Sequence, residues 1–407
     1  MERVAIVGAG IQGVCVALEL ARRGYDIDVF DKEADILLRA SLWNEGKIHL
    51  GYLYANDPTL RTARMMISGS LQFAQLIERW TSLPASQLHV SMPFKYVVPV
   101  ESLLEPTVIE RHFAQVGRFI KEAVDENGHL YLGRELPQEL FRRLNRSELK
   151  NELCLASTAA AYQTFETSVD TAQVRAALKL AVDARSRIRF FARKSVVSVT
   201  RVNNGKFRIH MQDQPDDLKD YDYVVNSSWE DRLRIDASVG LIENRPWLHR
   251  YKFAVHVDGY DGPSIGSKTL LLGAFGDVVE FGTGRVYLSW YPCCRIGLWT
   301  DLSPPEIVPE LTKEGVSELV SSILRGLGGY IPPLSNLDLS RCNVTVAGGY
   351  VFSWGNTEVT DPASELHNRF DIGIHRVDNY FSIDTGKYCM APLFAAQIGE
   401  MIASQSP

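Results

Sequence analysis

The segment Gly8-Ala9-Gly10-Ile11-Gln12-Gly13 constrains this chain more than any other stretch of it. It follows an apolar run of strand length, Val4 to Val7, and opens a helical pattern in which Val14, Leu18 and Ala21 share a face. Gly24 punctuates the helix, DIDVF makes a second strand, and Asp31 ends it. Gly8 permits a tight turn, Gly10 lets backbone approach a pyrophosphate, and Gly13 lets helix and strand pack closely. Ile11 and Gln12 start the helix, whose unpaired N–H groups face the phosphates. Asp31, with Lys32 beside it, lies about 20 residues on, where a carboxylate accepts from a ribose hydroxyl. A lone GxGxxG is weak, but one set between strand and helix and followed by such an acid predicts a dinucleotide-binding unit.

At 407 residues the chain exceeds a single comfortable core, so two domains are expected. It is 45% hydrophobic and 23% charged, which describes a packed globular protein. A formal charge of −6 without blocks of like charge argues against a nucleic-acid partner. The acidic loop 213–222 reads as a solvated turn. The six cysteines lack zinc spacing, so no metal site is expected, and they fit a reducing compartment. The opening residues already form strand and loop, so a signal peptide is not expected. No apolar run nears the ~18 residues of a spanning helix. The expectation is a cytoplasmic protein with a small-molecule substrate and no integral membrane segment, with oligomeric state left open.

A second signal lies near the far end. NYFSIDTGKYCMAPLFAAQIGEMI (379–402) reads as strand, then Asp384-Thr385-Gly386-Lys387, then helix with Pro392 in its first turn. A helix start behind glycine and lysine is an anion site. Between the ends, helices are predicted near 60–80, 106–126 and 137–145, and a surface helix near 303–329. Asp170 with Gln173 reads as a capping box, and 188–211 as a hairpin turning at NNG. YDYVVNSS (221–228) reads as a buried strand. Residues 250–300 alternate as an antiparallel sheet.

Ser41, Asn44, Gly46, His49 and Gly51, in the stretch ASLWNEGKIHLGYLY, stand in an order that resembles the D-amino-acid oxidase-like superfamily of flavoproteins. Within it, the motifs look like the branch of glycerol-3-phosphate dehydrogenases and L-2-hydroxyglutarate oxidases. The resemblance implies that FAD is the dinucleotide. It implies that Ser41, Asn44, Gly46 and Lys47 run beneath the cofactor, and that His49 faces the ring. Some relatives hold flavin covalently through a His after a Trp; here Asn44 follows Trp43, which implies FAD held non-covalently. The resemblance sets Val196 against the adenine end and Ser227 at the pyrophosphate, though Ser228-Trp229 stand where relatives usually have a glycine. It sets Gly349 in a preceding glycine-rich strand, followed by Tyr350-Val351 instead of an Arg-Pro. Thr385, Gly386 and Lys387 fall beneath the pyrimidine edge.

The fold expected is α/β, a Rossmann-like FAD-binding domain with a second, mainly antiparallel-sheet substrate domain. Residues 1–75, 156–235 and 340–407 make the first, and 76–155 and 236–339 the second. The sheet roofing the flavin offers Lys252, His256, Arg285, Tyr287, Ser289 and Tyr291 by residue type. His49, His256 and Tyr291 are the catalytic candidates, the two histidines because imidazole titrates near neutrality. The function expected is oxidation of a CH–OH or CH–NH group by hydride transfer to flavin. A monooxygenase and a non-catalytic flavin-binding protein are the alternatives.

Overall fold

The computed structural model describes residues 2–128, 130–212, 219–306, 311–361 and 363–405. Among these, the strands form a six-stranded, a nine-stranded and a two-stranded sheet. In the first, Tyr380–Asp384, Tyr223–Asn226, Arg3–Val7, Asp26–Phe30 and Ile188–Phe191 lie side by side in parallel, and Gly373–Val377 closes one edge antiparallel. Val4, Ala5 and Ile6 are wholly buried, as continuous apolar strands of a covered parallel sheet require.

Helices Ile11–Arg22 and Ala391–Ala403 pack against each other on one face of this sheet. Gly399 permits the approach, since a Cβ there would lie 2.7 Å from Glu19 Cγ. Buried Glu19 accepts from Trp80 Nε1 at 2.8 Å and from Arg22 and Arg23, so a third helix, Arg61–Trp80, is tied to the pair.

The nine-stranded sheet runs in the order Arg295–Trp299, Trp247–Asp258, Arg285–Trp290, Gly276–Phe281, Lys268–Leu270, Lys95–Pro99, Thr158–Thr164, Phe141–Arg143. Strand Asn343–Trp354 pairs along the full length of Trp247–Asp258. Asn343–Trp354 and Thr158–Thr164 both join the second sheet, because their partners there lie far away in sequence. One apolar cluster runs from Val4 and Leu18 through Tyr52 and Tyr96 to Val279, bonding both sheets into a common core.

The expected helices near 60–80 and 106–126 are present as Arg61–Trp80 and Pro106–Asn127. The one near 137–145 is not. Phe141–Arg143 is a strand paired to Thr164–Tyr162, and a short helix, Arg146–Leu149, follows with Asn145 and Glu148 as a reciprocal capping box. Asp170 caps its helix, but Gln173 turns away and accepts from His89 N, so that box is half made. Ile188–Phe191 joins the parallel sheet, leaving Val196–Arg201 and Phe207–Met211 as the hairpin. The surface helix is Lys313–Gly328, and 307–310 lie outside the described residues. So do 213–218 of the acidic loop, while Asp220 and Asp222 pair with Arg208 and Lys206. No helix among the described residues is long and apolar enough to cross a membrane.

Candidate active site

The turn after Arg3–Val7 is built on absent side chains. Gly8 has φ +96°, and a Cβ there would meet Ser227 O at 2.6 Å. A Cβ on Gly13 would fall 1.9 Å from Gly8 O, so helix and turn could not close. At Gly10, the N-cap, the nearest atom to a Cβ is Ser41 Oγ at 3.1 Å. That side of Gly10 is open to a long cavity.

Asp31 at the end of the second strand holds the turn in place. Its carboxylate accepts from Ala9 N at 2.5 Å and from Glu33 N at 2.8 Å. Burial pushes its pKa up against those two donors. Lys32 pairs with Asp231 at 2.7 Å and Glu230 at 3.2 Å. Ser41 Oγ accepts from Ile11 N at 2.9 Å, and Ser227 Oγ donates to Val7 O at 3.0 Å. Trp229, where a glycine was expected nearby, takes φ +56°, a rare conformation for a bulky residue. Its indole N–H donates to Tyr350 O at 2.8 Å and anchors the cavity wall.

The far end of the chain arrives at the same place. Gln12 donates to Ala391 O at 3.2 Å and accepts from Thr385 Oγ1 at 3.1 Å. The two helix starts are thus joined through one buried side chain. Gly8, Gly10, Ile11, Gln12, Asp31, Lys32, Ser41, Asn44, Lys47, Val196, Ser227, Thr385, Gly386 and Lys387 all line this one cavity, and so does His49.

A model of the FAD dependent oxidoreductase family matches residues 3–338. The chain belongs to that family. Among curated proteins, D-amino acid dehydrogenases of Rhizobium rhizogenes (strain K84 / ATCC BAA-868) and Cereibacter sphaeroides (strain ATCC 17029 / ATH 2.4.9) are each 42% identical over 50 residues. That alignment covers 12% of this chain and 12% of each relative. Glycine oxidase from Geobacillus kaustophilus superposes with a TM-score of 0.68 at 15% identity, over 100% of this chain and 96% of the other. L-alpha-glycerophosphate oxidase from Mycoplasma pneumoniae, solved with FAD bound, gives 0.66 at 13% identity over 99% and 95%. These two likenesses show a shared fold.

The cavity of this FAD-dependent family member fits a dinucleotide on its own features. Gly10 lines the cavity without a side chain, which lets a group come close to its backbone. Three polar atoms of its wall residues, His49 Nδ1, Arg369 Nε and Tyr388 Oη, are buried without partners. Asn44 is committed locally: its amide donates to Ala40 O and accepts from Gly46 N, ending the short helix Ala40–Trp43. Gly13 and Gly46 line neither cavity described here; both act through packing, since a Cβ on Gly46 would meet Val169 O at 2.1 Å.

A second cavity opens from the first, and the two share Asn44, Glu45, Lys47, Tyr350, Val351, Arg369 and Lys387. Its further wall includes Gly349, Arg250, Lys252, Asp277, Tyr287, Tyr291 and His367. Lys47 is almost wholly buried and donates to Asp277 at 3.1 Å and to Thr269, with its ammonium 4.1 Å from the Phe94 ring centroid. Burial opposes the Asp277 charge, but Lys47 and Lys252 hold its pKa below the ordinary range. Lys387 is brought down to about 8 by burial, with Arg369 and Lys47 adding to the effect and Glu45 opposing it.

The histidines divide. Burial, together with Lys387 and Lys47, lowers the pKa of His49, and its Nε2 sits 4.0 Å from Glu45. His256 is not brought into either cavity. It lies on the same strand face as Arg250, Lys252 and Ala254, one step beyond the cavity's end. There Trp43 and Tyr287 cover it, and burial lowers it to about 4. Arg285 is spent on Asp170 and Asp258, and Ser289 accepts from Lys252 at 3.1 Å. Sequence reasoning did not single out Arg250, Arg369, Glu45 or Asp277. The period-two spacing of Arg250 with Lys252 could have found the first; Arg369 lies in a loop with no period.

Proposed function

We propose that this protein oxidises a CH–OH or CH–NH group of a small molecule with non-covalently held FAD. The reading rests on one observation: the cavity at the glycine turn runs into a second, polar cavity, and Lys47, Arg369 and Lys387 stand where they join. Bound FAD supplies the hydride acceptor, leaving orientation and charge to the protein.

In this reading the Gly8–Gly13 turn and the helix start behind it receive the pyrophosphate, with Ser41 and Ser227 bracing them. Asp31 serves the ribose and Val196 the adenine. Lys387 and Gly386 oppose negative charge at the pyrimidine end. The substrate occupies the second cavity beneath Tyr287 and Tyr291. His49 stays neutral at pH 7 and can take a proton from a hydroxyl; an amine that arrives neutral needs no such base. His256, enclosed by Trp43 and Tyr287, is given no chemical role. The two-part division of the chain follows the two sheets, with strands 158–164 and 343–354 moved to the substrate side. The six free cysteines support a cytoplasmic setting.

The test is anaerobic. Purified protein is loaded with FAD and screened against 2-hydroxy acids and amino acids for loss of the flavin colour. Bleaching by one of these without NAD(P)H supports the reading. Bleaching by NAD(P)H alone, or failure to take up FAD, removes it.

A further inference from the structure

The second cavity carries more positive charge than the proposed chemistry requires. Five basic side chains line it, Lys47, Arg250, Lys252, Arg369 and Lys387, against the carboxylates of Glu45 and Asp277. Lys47 and Asp277 pair with each other, and Lys387 is assigned above to the flavin end. Arg250, Lys252 and Arg369 remain against Glu45 in the lining, while Lys252 also acts on Asp277, and Glu358 and Asp384 oppose Arg250 and Arg369 from outside it.

These cations are held in place before any ligand arrives. Arg250 is 2% exposed and donates from NH1 to Ser353 Oγ at 2.6 Å and from NH2 to Thr357 O at 2.9 Å, and its Nε is buried without a partner. Arg369 is 3% exposed, donates from NH1 to Phe352 O, and likewise has an unpartnered Nε. The Tyr291 hydroxyl stands in the same wall beside the Arg250 guanidinium. Burying guanidinium groups is costly, and here burial and the Arg250 charge lower the pKa of Arg369 while Tyr54 and Asp384 oppose.

The cations also fall at two places. Arg369 stands where the cavities join, whereas Arg250 and Lys252 line only the second. Arg250 lies directly across the strand pair from Val351, so a guanidinium faces the cavity from the neighbouring strand.

We propose that Arg250 and Lys252 form an anion subsite distinct from the one at Arg369, so that the substrate is a small acid carrying two anionic groups. Arg369 holds the group next to the reacting carbon, and Arg250 with Lys252 holds the other. This rests on the flavin-oxidoreductase reading for the position of the reacting carbon. The charge argument itself does not depend on it.

Non-reacting acids test the assignment without turnover. FAD-loaded protein is titrated at constant ionic strength with malonate, succinate and glutarate, and with acetate, propionate and butyrate. Binding is followed by perturbation of the flavin absorption and by the rise in Tm. One diacid is expected to bind about tenfold or more tightly than every monoacid, on the scale of one added charge-assisted contact. Lys252→Met, at a half-buried position where the ammonium donates to Ser289 Oγ, is expected to remove that preference and leave monoacid binding unchanged. Arg250→Gln, checked for an unaltered Tm without ligand, is expected to do the same. Equal affinity for both series, or a preference that survives Lys252→Met, overturns the proposal. If monoacids bleach the flavin while no diacid is preferred, the oxidoreductase reading stands and this subsite falls. If the protein takes up no FAD, the oxidoreductase reading falls, and the Tm series still decides the subsite.

Discussion

In the proposed reading, Asp31 serves both the fold and the cofactor, and Lys387 the cofactor's far end. Asp31 accepts from Ala9 N and Glu33 N, so its carboxylate shapes the glycine turn before any ribose is present. Asp31→Ala is expected to weaken FAD retention by about 1–3 kcal/mol, the worth of a charge-assisted hydrogen bond. Titrating the FAD-free protein with FAD measures this, and unchanged retention would count against the ribose role. Lys387 is proposed to stand at the other end of the cofactor. Lys387→Met is expected to make the bound flavin harder to reduce by about 1.5–3 kcal/mol, or about 30–65 mV for a two-electron couple. A reductive titration against a reference dye reads that shift, and an unmoved potential would separate Lys387 from the ring. Its pKa, near 8 against an ordinary 10.5, also has a stability consequence. Between those values the unfolded chain binds more protons, so in the FAD-free protein this residue makes stability rise with pH over that window.

At the scale of elements, the decisive contact is between helices Ile11–Arg22 and Ala391–Ala403, the second and the last elements among the described residues. Gly399 sits against Glu19 and Arg23, and a Cβ there would be 2.8 Å from Arg23 Nε. Glu19 cannot give way easily, because Trp80, Arg22 and Arg23 all hold it. Gly399→Val is therefore expected to cost about 1–3 kcal/mol by overpacking. It should also loosen FAD, because parting the helices pulls Gln12 from Thr385 and Ala391. Chemical denaturation and an FAD titration on the same variant read the two effects. Lost stability with undiminished FAD affinity would show that the joint through Gln12 does not position the site.

Over the whole molecule, five histidines held low by burial bear on the response to acid. His49, His112, His249, His256 and His367 are all lowered, His249 and His256 to about 4 and His367 to about 3, from an ordinary 6.5. The last three are neutral in the folded protein at pH 5, while the unfolded chain would carry the proton. Stability is expected to fall as pH drops from about 6.5 toward 4, with these three histidines taking up about three protons on unfolding near pH 5. Calorimetry in buffers of different ionisation enthalpy counts those protons; a count near zero would mean that these histidines are charged in the folded state.

Much of the cofactor end could be read from the sequence because the signals there are local. Gly8, Gly10 and Gly13 must stand at fixed spacing for a strand, turn and helix to close, and the Thr385-Gly386-Lys387 turn is equally short-range. The helix expected near 137–145 failed for the opposite reason: Phe141–Arg143 takes its partner from Tyr162–Thr164, and a strand pairing outweighs the local pattern. The same holds for Asn343–Trp354, whose place beside Trp247–Asp258 is a pairing across about ninety residues that no local rule reports. The amino-acid sequence alone therefore determined the turn that meets a dinucleotide and the two ends that build its cleft. Only the tertiary structure decided that Arg250 and Arg369 share a cavity and that His256 is shut out of it, because side chains from different strands and loops meet through long-range packing, not spacing along the chain.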